Sequence, residues 1–130
     1  MKNIILLLIL TLLSCQDPIP CSTLEYKNGL TTKNGRNFTG ECNTFYHDFK
    51  LRSIQQYENG IDNDKWTFYF NNGNIQTEGF FEKGKRIGEW KYFYESGKVW
   101  KINHYKNGIK VGNWITYSEE GDIIESVQFD

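Results

Sequence analysis

No apolar stretch of this chain holds a sustained 3.6-residue period with helix caps, which excludes a helical body. Proline is scarce, with 2 in 130 residues, both in Asp17-Pro18-Ile19-Pro20. Glycine is frequent at 12, and the two facts together suit a turn-rich β structure that needs positive φ at many corners. There is no excess of either charge: the formal net charge is −1, and without Lys2 and the rest of residues 1–14 it is −2, from 14 basic and 16 acidic residues. Charges of both signs are interspersed, with no basic stripe to match a phosphate backbone, so nucleic acid is not an expected partner. Much of the aliphatic content lies in the first 13 residues, and aromatics make up 16% of the chain. Burial in the body must therefore come from Tyr, Phe and Trp.

The N-terminus reads as a targeting segment. Met1-Lys2-Asn3 is short and positive, and Ile4 to Leu13 is apolar except for Thr11. A membrane-spanning helix needs about 20 apolar residues, and this run is half as long, as in a secretory signal. Leu12-Leu13-Ser14-Cys15 resembles the bacterial lipobox, with a small residue before a cysteine that is lipidated and becomes the new N-terminus. Only a thiol can form the required thioether. The competing reading is a plain secretory signal that happens to end at a cysteine. Buried acyl chains contribute about 0.8 kcal/mol per CH₂, so two or three hold a protein on a membrane. Gln16 does not resemble the Asp signal for inner-membrane retention, although Asp17 stands one place later. The expected location is the bacterial cell envelope, with the outer membrane favoured.

The body repeats every 24 residues. Trp66, Trp90 and Trp114 keep that interval, as do Gly60, Gly84 and Gly108, and Gly73, Gly97 and Gly121. So do Tyr69, Phe93 and Tyr117; Ile75, Val99 and Ile123; and Tyr57, Phe81, Tyr105 and Phe129. A degenerate copy precedes them, with Gly40 in the column of Gly88 and Gly112, Cys42 in the Trp column and Phe49 in a Gly column. Asp64 is the odd member of the Gly40 column. Lys65–Phe70 and Ile75–Phe81 read as strands, joined by the turn Asn71-Asn72-Gly73, with Glu82–Gly88 carrying the chain to the next hairpin. The expected fold is all-β: an elongated antiparallel meander of tandem 24-residue β-hairpin repeats, preceded by a signal-peptide helix. Its divisions are 1–14 (signal), 15–25 (lipidated Cys and linker), 26–56 (degenerate repeat) and 57–130 (three repeats). Alternation puts Trp66, Phe68 and Phe70 on one face and Tyr69 on the other, so half-exposed aromatic rows are expected on both.

The segments Glu89-Trp90-Lys91-Tyr92-Phe93-Tyr94-Glu95-Ser96-Gly97-Lys98 and Tyr105-Lys106-Asn107-Gly108-Ile109-Lys110-Val111-Gly112-Asn113-Trp114 resemble the bacterial variant of the MORN repeat, roughly Y-x-N-G-x-x-x-G-x-W-x-x-Y-Y-x-N-G. The resemblance covers residues 57–129 well and 26–56 loosely. It departs from the pattern at Asp64, Ser96 and Cys42. It implies a scaffold or interaction role; bacterial proteins of this kind are often labelled antitoxin-like, and some MORN proteins have been linked to phospholipid headgroups.

No catalytic set emerges. His47 and His104 fall in different repeat columns, with no matched nucleophile. Glu78 with Glu82, and Glu119 with Glu120, read as surface charge rather than acid–base dyads. The Gly columns lack the strand–loop–helix context of a phosphate loop. Cys21 and Cys42 are candidates for a disulfide and too few for a metal site. The expectation is a non-enzymatic module without cofactor or metal, held on a membrane by its N-terminal lipid and meeting a protein partner in the envelope. Trp66, Tyr69, Trp90, Phe93, Trp114 and Tyr117 are the candidate interaction surface. The alternatives are an immunity protein against a toxin arriving in the envelope, and headgroup binding, for which Lys83, Lys85 and Arg86 offer only a small basic face.

Overall fold

Asn-Gly flanked by alternating residues makes two-residue hairpins, because both turn residues must take positive φ. Asn28-Gly29, Asn34-Gly35, Asn59-Gly60 and Asn107-Gly108 do so, and Lys83-Gly84 follows them with φ of 49° and 77°. The computed structural model describes residues 17–130; the signal segment and Cys15 lie outside the described residues. In chain order the elements are β1 (Ile19–Pro20), a single 3-10 turn (Cys21–Thr23), β2 (Glu25–Lys27), β3 (Leu30–Lys33), β4 (Arg36–Asn37), β5 (Gly40–Phe45), β6 (Leu51–Glu58), β7 (Ile61–Asp62), β8 (Asp64–Tyr69), β9 (Ile75–Glu82), β10 (Lys85–Phe93), β11 (Val99–Lys106), β12 (Ile109–Tyr117) and β13 (Ile123–Phe129). From β5 onward neighbours in sequence pair antiparallel, in the order β5-β6-β8-β9-β10-β11-β12-β13, with β7 also on β6. This is the expected all-β meander of hairpin repeats.

Two details differ from the sequence reading. Glu82–Gly88 is no connector: Glu82 ends β9, Lys85 opens β10, and the two pair directly. Residues 26–56 do not form one copy either. β2, β3 and β4 make a separate three-stranded sheet, while β5 and β6 join the main one. The cause is local. Two Asn-Gly turns six residues apart leave strands too short to span the main sheet, so they fold onto each other. β1 then runs parallel to β5, with Ile19 opposite Cys42.

Each repeat carries a bulge that seats its tryptophan. On β10, Ile87 faces Phe80 and Lys91 faces Glu78, so residues 88–90 oppose Gly79 alone. The left-handed residue this requires is Gly88 (φ 63°) in one copy and Gly112 (φ 63°) in the next. In the first copy Asp64 adopts the same conformation at φ 57°, which aspartate tolerates better than most residues. Trp90 settles directly on Gly79, where any Cβ would stand 2.1 Å from the indole. The equivalent positions below Trp66 and Trp114 are Gln55 and Asn103. Only Trp90 is consequently buried, at 2% exposure, while Trp66 and Trp114 stay half-buried.

The tryptophans belong to a longer row. Phe38, Tyr57, Trp66, Phe81, Trp90, Tyr105, Trp114 and Phe129 follow one another across the sheet at centroid spacings of 5.9, 5.4, 5.1, 5.0, 6.4, 5.2 and 4.9 Å. Their planes are tilted or edge-to-face, and each such pair adds about 0.5–1.5 kcal/mol beyond the area it buries. Hydrogen bonds between turns reinforce the stacking: Gly60 N donates to Phe38 O (2.7 Å), Gly84 N to Asp62 O (2.9 Å) and Gly108 N to Arg86 O (2.9 Å).

Gly79→Ala is expected to destabilise by about 3 kcal/mol, since a ring lodged on backbone cannot give way. Gly121→Ala, whose Cβ meets nothing within 4 Å, loses only about 1 kcal/mol from its positive φ. Urea midpoints separate the two, and equal losses would refute the seating of Trp90. At the opposite hairpin ends Gly73, Gly97 and Gly121 take φ of 90°, 88° and 96°, and Phe49 takes 63° in the same column. Phe49 is 87% exposed, so its ring returns no packing for that strain. Phe49→Gly is expected to stabilise by about 0.5–1 kcal/mol; an unchanged or lower midpoint speaks against it.

Candidate functional site

The six candidate aromatics occupy two faces, as strand alternation implies. Trp66, Trp90 and Trp114 stand in the aromatic row on one face, and alternation directs Tyr69, Phe93 and Tyr117 to the other. The tryptophan face is largely occupied by the protein itself. Each indole donates to a carbonyl ten residues earlier: Trp66 to Gln56 (2.8 Å), Trp90 to Phe80 (3.2 Å) and Trp114 to His104 (3.0 Å). Basic side chains roof two of the rings. Arg86 lies 4.4 Å from the Trp90 centroid and donates to Tyr105 Oη at 3.2 Å. Lys110 lies 4.6 Å from the Trp114 centroid. Trp90 is thus removed from the candidate surface by its burial, and Trp66 and Trp114 present only parts of their rings.

The second row is more open. Phe45 heads the same column at 48% exposure, and Tyr69, Phe93 and Tyr117 are half-buried. Each pairs across its hairpin with an aliphatic: Tyr69 with Ile75, Phe93 with Val99 and Tyr117 with Ile123. The carbonyls of Tyr69 and Tyr117 accept from Tyr46 Oη (2.6 Å) and Tyr94 Oη (2.7 Å), which ties neighbouring hairpins together. Two lysine–carboxylate pairs border this face, with Lys65 Nζ 2.7 Å from Glu78 and Lys91 Nζ 2.9 Å from Glu89, and His104 Nε2 lies 3.5 Å from Glu89. Glu78 is therefore engaged with a lysine rather than with Glu82. Glu119 and Glu120 lie in an exposed turn, and His47 is exposed far from His104 in sequence.

Cys21 and Cys42 form a disulfide with Cα atoms 5.0 Å apart. It fixes the 3-10 turn to β5, and Cys42 has no exposure. Closing a loop of this length contributes about 3 kcal/mol in the chain-entropy model. In the Trp column of the degenerate copy, a crosslink thus stands where later copies place an indole.

The sequence reading passed over Trp100. It is the one tryptophan outside the 24-residue Trp column, in a column whose other members are Arg52, Gln76 and Ile124. It is 40% exposed, and its ring lies 6.4 Å from Tyr92 and 6.2 Å from Tyr94. The signal was present: period packing cannot account for a tryptophan that breaks the period.

In the first copy Asp62 takes the place of Arg86 and Lys110. Burial raises its carboxyl above the ordinary 3.8, and burial together with the Asp62 charge raises the Tyr57 phenol. A raised folded-state value means the folded chain holds this proton more tightly than the unfolded one. The charged form then costs stability, which falls as pH rises through the region just above 3.8. Asp62→Asn is expected to stabilise by about a few tenths of a kcal/mol at pH 7, given partial solvent screening. The gain shrinks toward pH 3, and thermal midpoints of both proteins across that range decide it. A gain independent of pH contradicts the burial account.

Comparison with known families bears on two stretches. Residues 65–83 and 86–107 match the MORN repeat variant, the first spanning β8 and β9 and the second spanning β10 and β11. No curated protein and no solved structure matches the chain. The hairpin repeat seen in the fold and the family match fall on the same residues: over these two stretches the chain is similar to the MORN repeat variant.

Proposed function

We propose that the chain is a non-enzymatic, lipid-anchored protein of the bacterial envelope whose repeats serve as an interaction or scaffold module. The observation that carries the interaction reading is the division of the two aromatic rows. One row is consumed by packing and roofed by Arg86 and Lys110. The other, running from Phe45 through Tyr69 and Phe93 to Tyr117, keeps exposed apolar surface bordered by charge, the composition of a protein-binding patch. Headgroup binding is less favoured, because Arg86 of the small basic group is already held over Trp90 and Tyr105. The anchor rests on the apolar run ending at Ser14-Cys15.

Two measurements test the two parts. Cys15→Ser is expected to abolish incorporation of a labelled fatty acid and to move the protein out of the detergent phase; unchanged partition removes the anchor. A photo-crosslinking residue in place of Phe93 or of Tyr117, installed in cells, is expected to give one discrete adduct of the same mass from both sites. No adduct from either, with anchoring intact, removes the interaction surface.

A further inference from the structure

The Trp100 groove has a composition that the repeat does not explain. It is about 500 Å³, and Phe70, Thr77, Tyr92, Tyr94, Glu95 and Trp100 are among its walls. Trp100 is the extra residue of a bulge, since Tyr92 pairs with Lys101 and Phe93 with Val99. That irregularity turns its indole toward Tyr92, at 81° to the phenol plane, and toward Tyr94 at 50°. The three rings therefore form a corner rather than a flat platform. Tyr94 is fixed in position by its hydroxyl bond to Tyr117 O at 2.7 Å. Glu95 is the only charged residue lining the groove. Neighbouring copies lack the arrangement: the positions of Tyr92, Tyr94 and Trp100 are Phe68, Phe70 and Gln76 before it, and Thr116, Ser118 and Ile124 after it.

Electron-rich faces meeting at an angle, with one carboxylate lining the groove, select a cation. The same sheet shows that preference within itself, with Arg86 over Trp90, Lys110 over Trp114, and Lys101 Nζ 5.0 Å from the Trp100 centroid. An inorganic cation would remain hydrated in so apolar a groove. A methylated ammonium is weakly hydrated and fits both the rings and the carboxylate. We infer that Tyr92, Tyr94 and Trp100, with Glu95 at the rim, bind a small methylated-ammonium cation that carries no anionic group beside the nitrogen. The three rings lie in the second copy, and the groove also takes in Phe70 and Thr77 of the first copy and Phe93 of the row proposed to meet a protein.

The test is calorimetric titration of the full chain, in non-ionic detergent, with choline chloride at constant ionic strength. Choline is expected to bind saturably. Its neutral isostere 3,3-dimethyl-1-butanol is expected to bind about ten-fold more weakly, the loss of a cation–π contact. Phosphocholine is also expected to bind more weakly, since its phosphate meets Glu95. Trp100→Gln, which installs the residue of the preceding copy, is expected to lower choline affinity about ten-fold with an unchanged thermal midpoint. Trp100→Ile, the residue of the following copy, gives the same reading should the first variant not fold. Glu95→Gln is expected to lower it about three-fold. Equal binding of choline and its isostere overturns the proposal, as does full affinity in the folded Trp100 variants. Absence of choline saturation also overturns it, as does saturation by a neutral sugar in its place.

Discussion

A sheet one layer thick has nothing to bury its apolar side against except itself, and here the row of touching aromatic rings meets that constraint. The row works because the backbone makes room for it. A bulge in each copy widens the spacing opposite one residue, and the indole fills the space and donates its N–H to a carbonyl of the preceding strand. Bulge, left-handed residue, tryptophan and carbonyl form one device that recurs in the three full copies. Among the described residues only Phe38, Cys42 and Trp90 are buried apolar side chains, so the row is nearly the whole core.

The ends of the row are built differently. At Phe38 the row abuts the small sheet of β2, β3 and β4, and the Gly60 N–H reaches back to the Phe38 carbonyl. The disulfide takes over close by, tying the 3-10 turn to β5 in the Trp column. Phe129 closes the other end against Trp114, beneath Lys110. What holds the sheet lies mostly on one face, and the more open aromatic row lies on the other.

Much of this was legible in the residues. The period was plain, because identical columns of Trp, Gly and Tyr or Phe recur without a gap, and Asn-Gly marks its turns by the positive φ it alone accepts cheaply. Less legible was the conformation of Asp64 and Phe49, which hold left-handed φ although neither residue is glycine; the neighbouring copies dictate that geometry against local preference. The unequal burial of the three tryptophans depends on what lies beneath each, Gln55, Gly79 or Asn103, and a bulge register is needed to know it. Alternation by twos loses count at a bulge. For that reason residues 82–88 read as a connector, and Trp100 went unnoticed beside Tyr92 and Tyr94.

The hydrogen bonds from Gly60, Gly84 and Gly108 to carbonyls of the preceding unit have a bearing on descent. Every unit offers its successor the same carbonyl and receives from it the same amide and the same ring. A gene that duplicates or loses a whole unit rejoins matching surfaces, whereas an insertion of any other length leaves a ring without its bulge. Lineages carrying such a chain are free to vary it in steps of one period, and the number of copies becomes a heritable length.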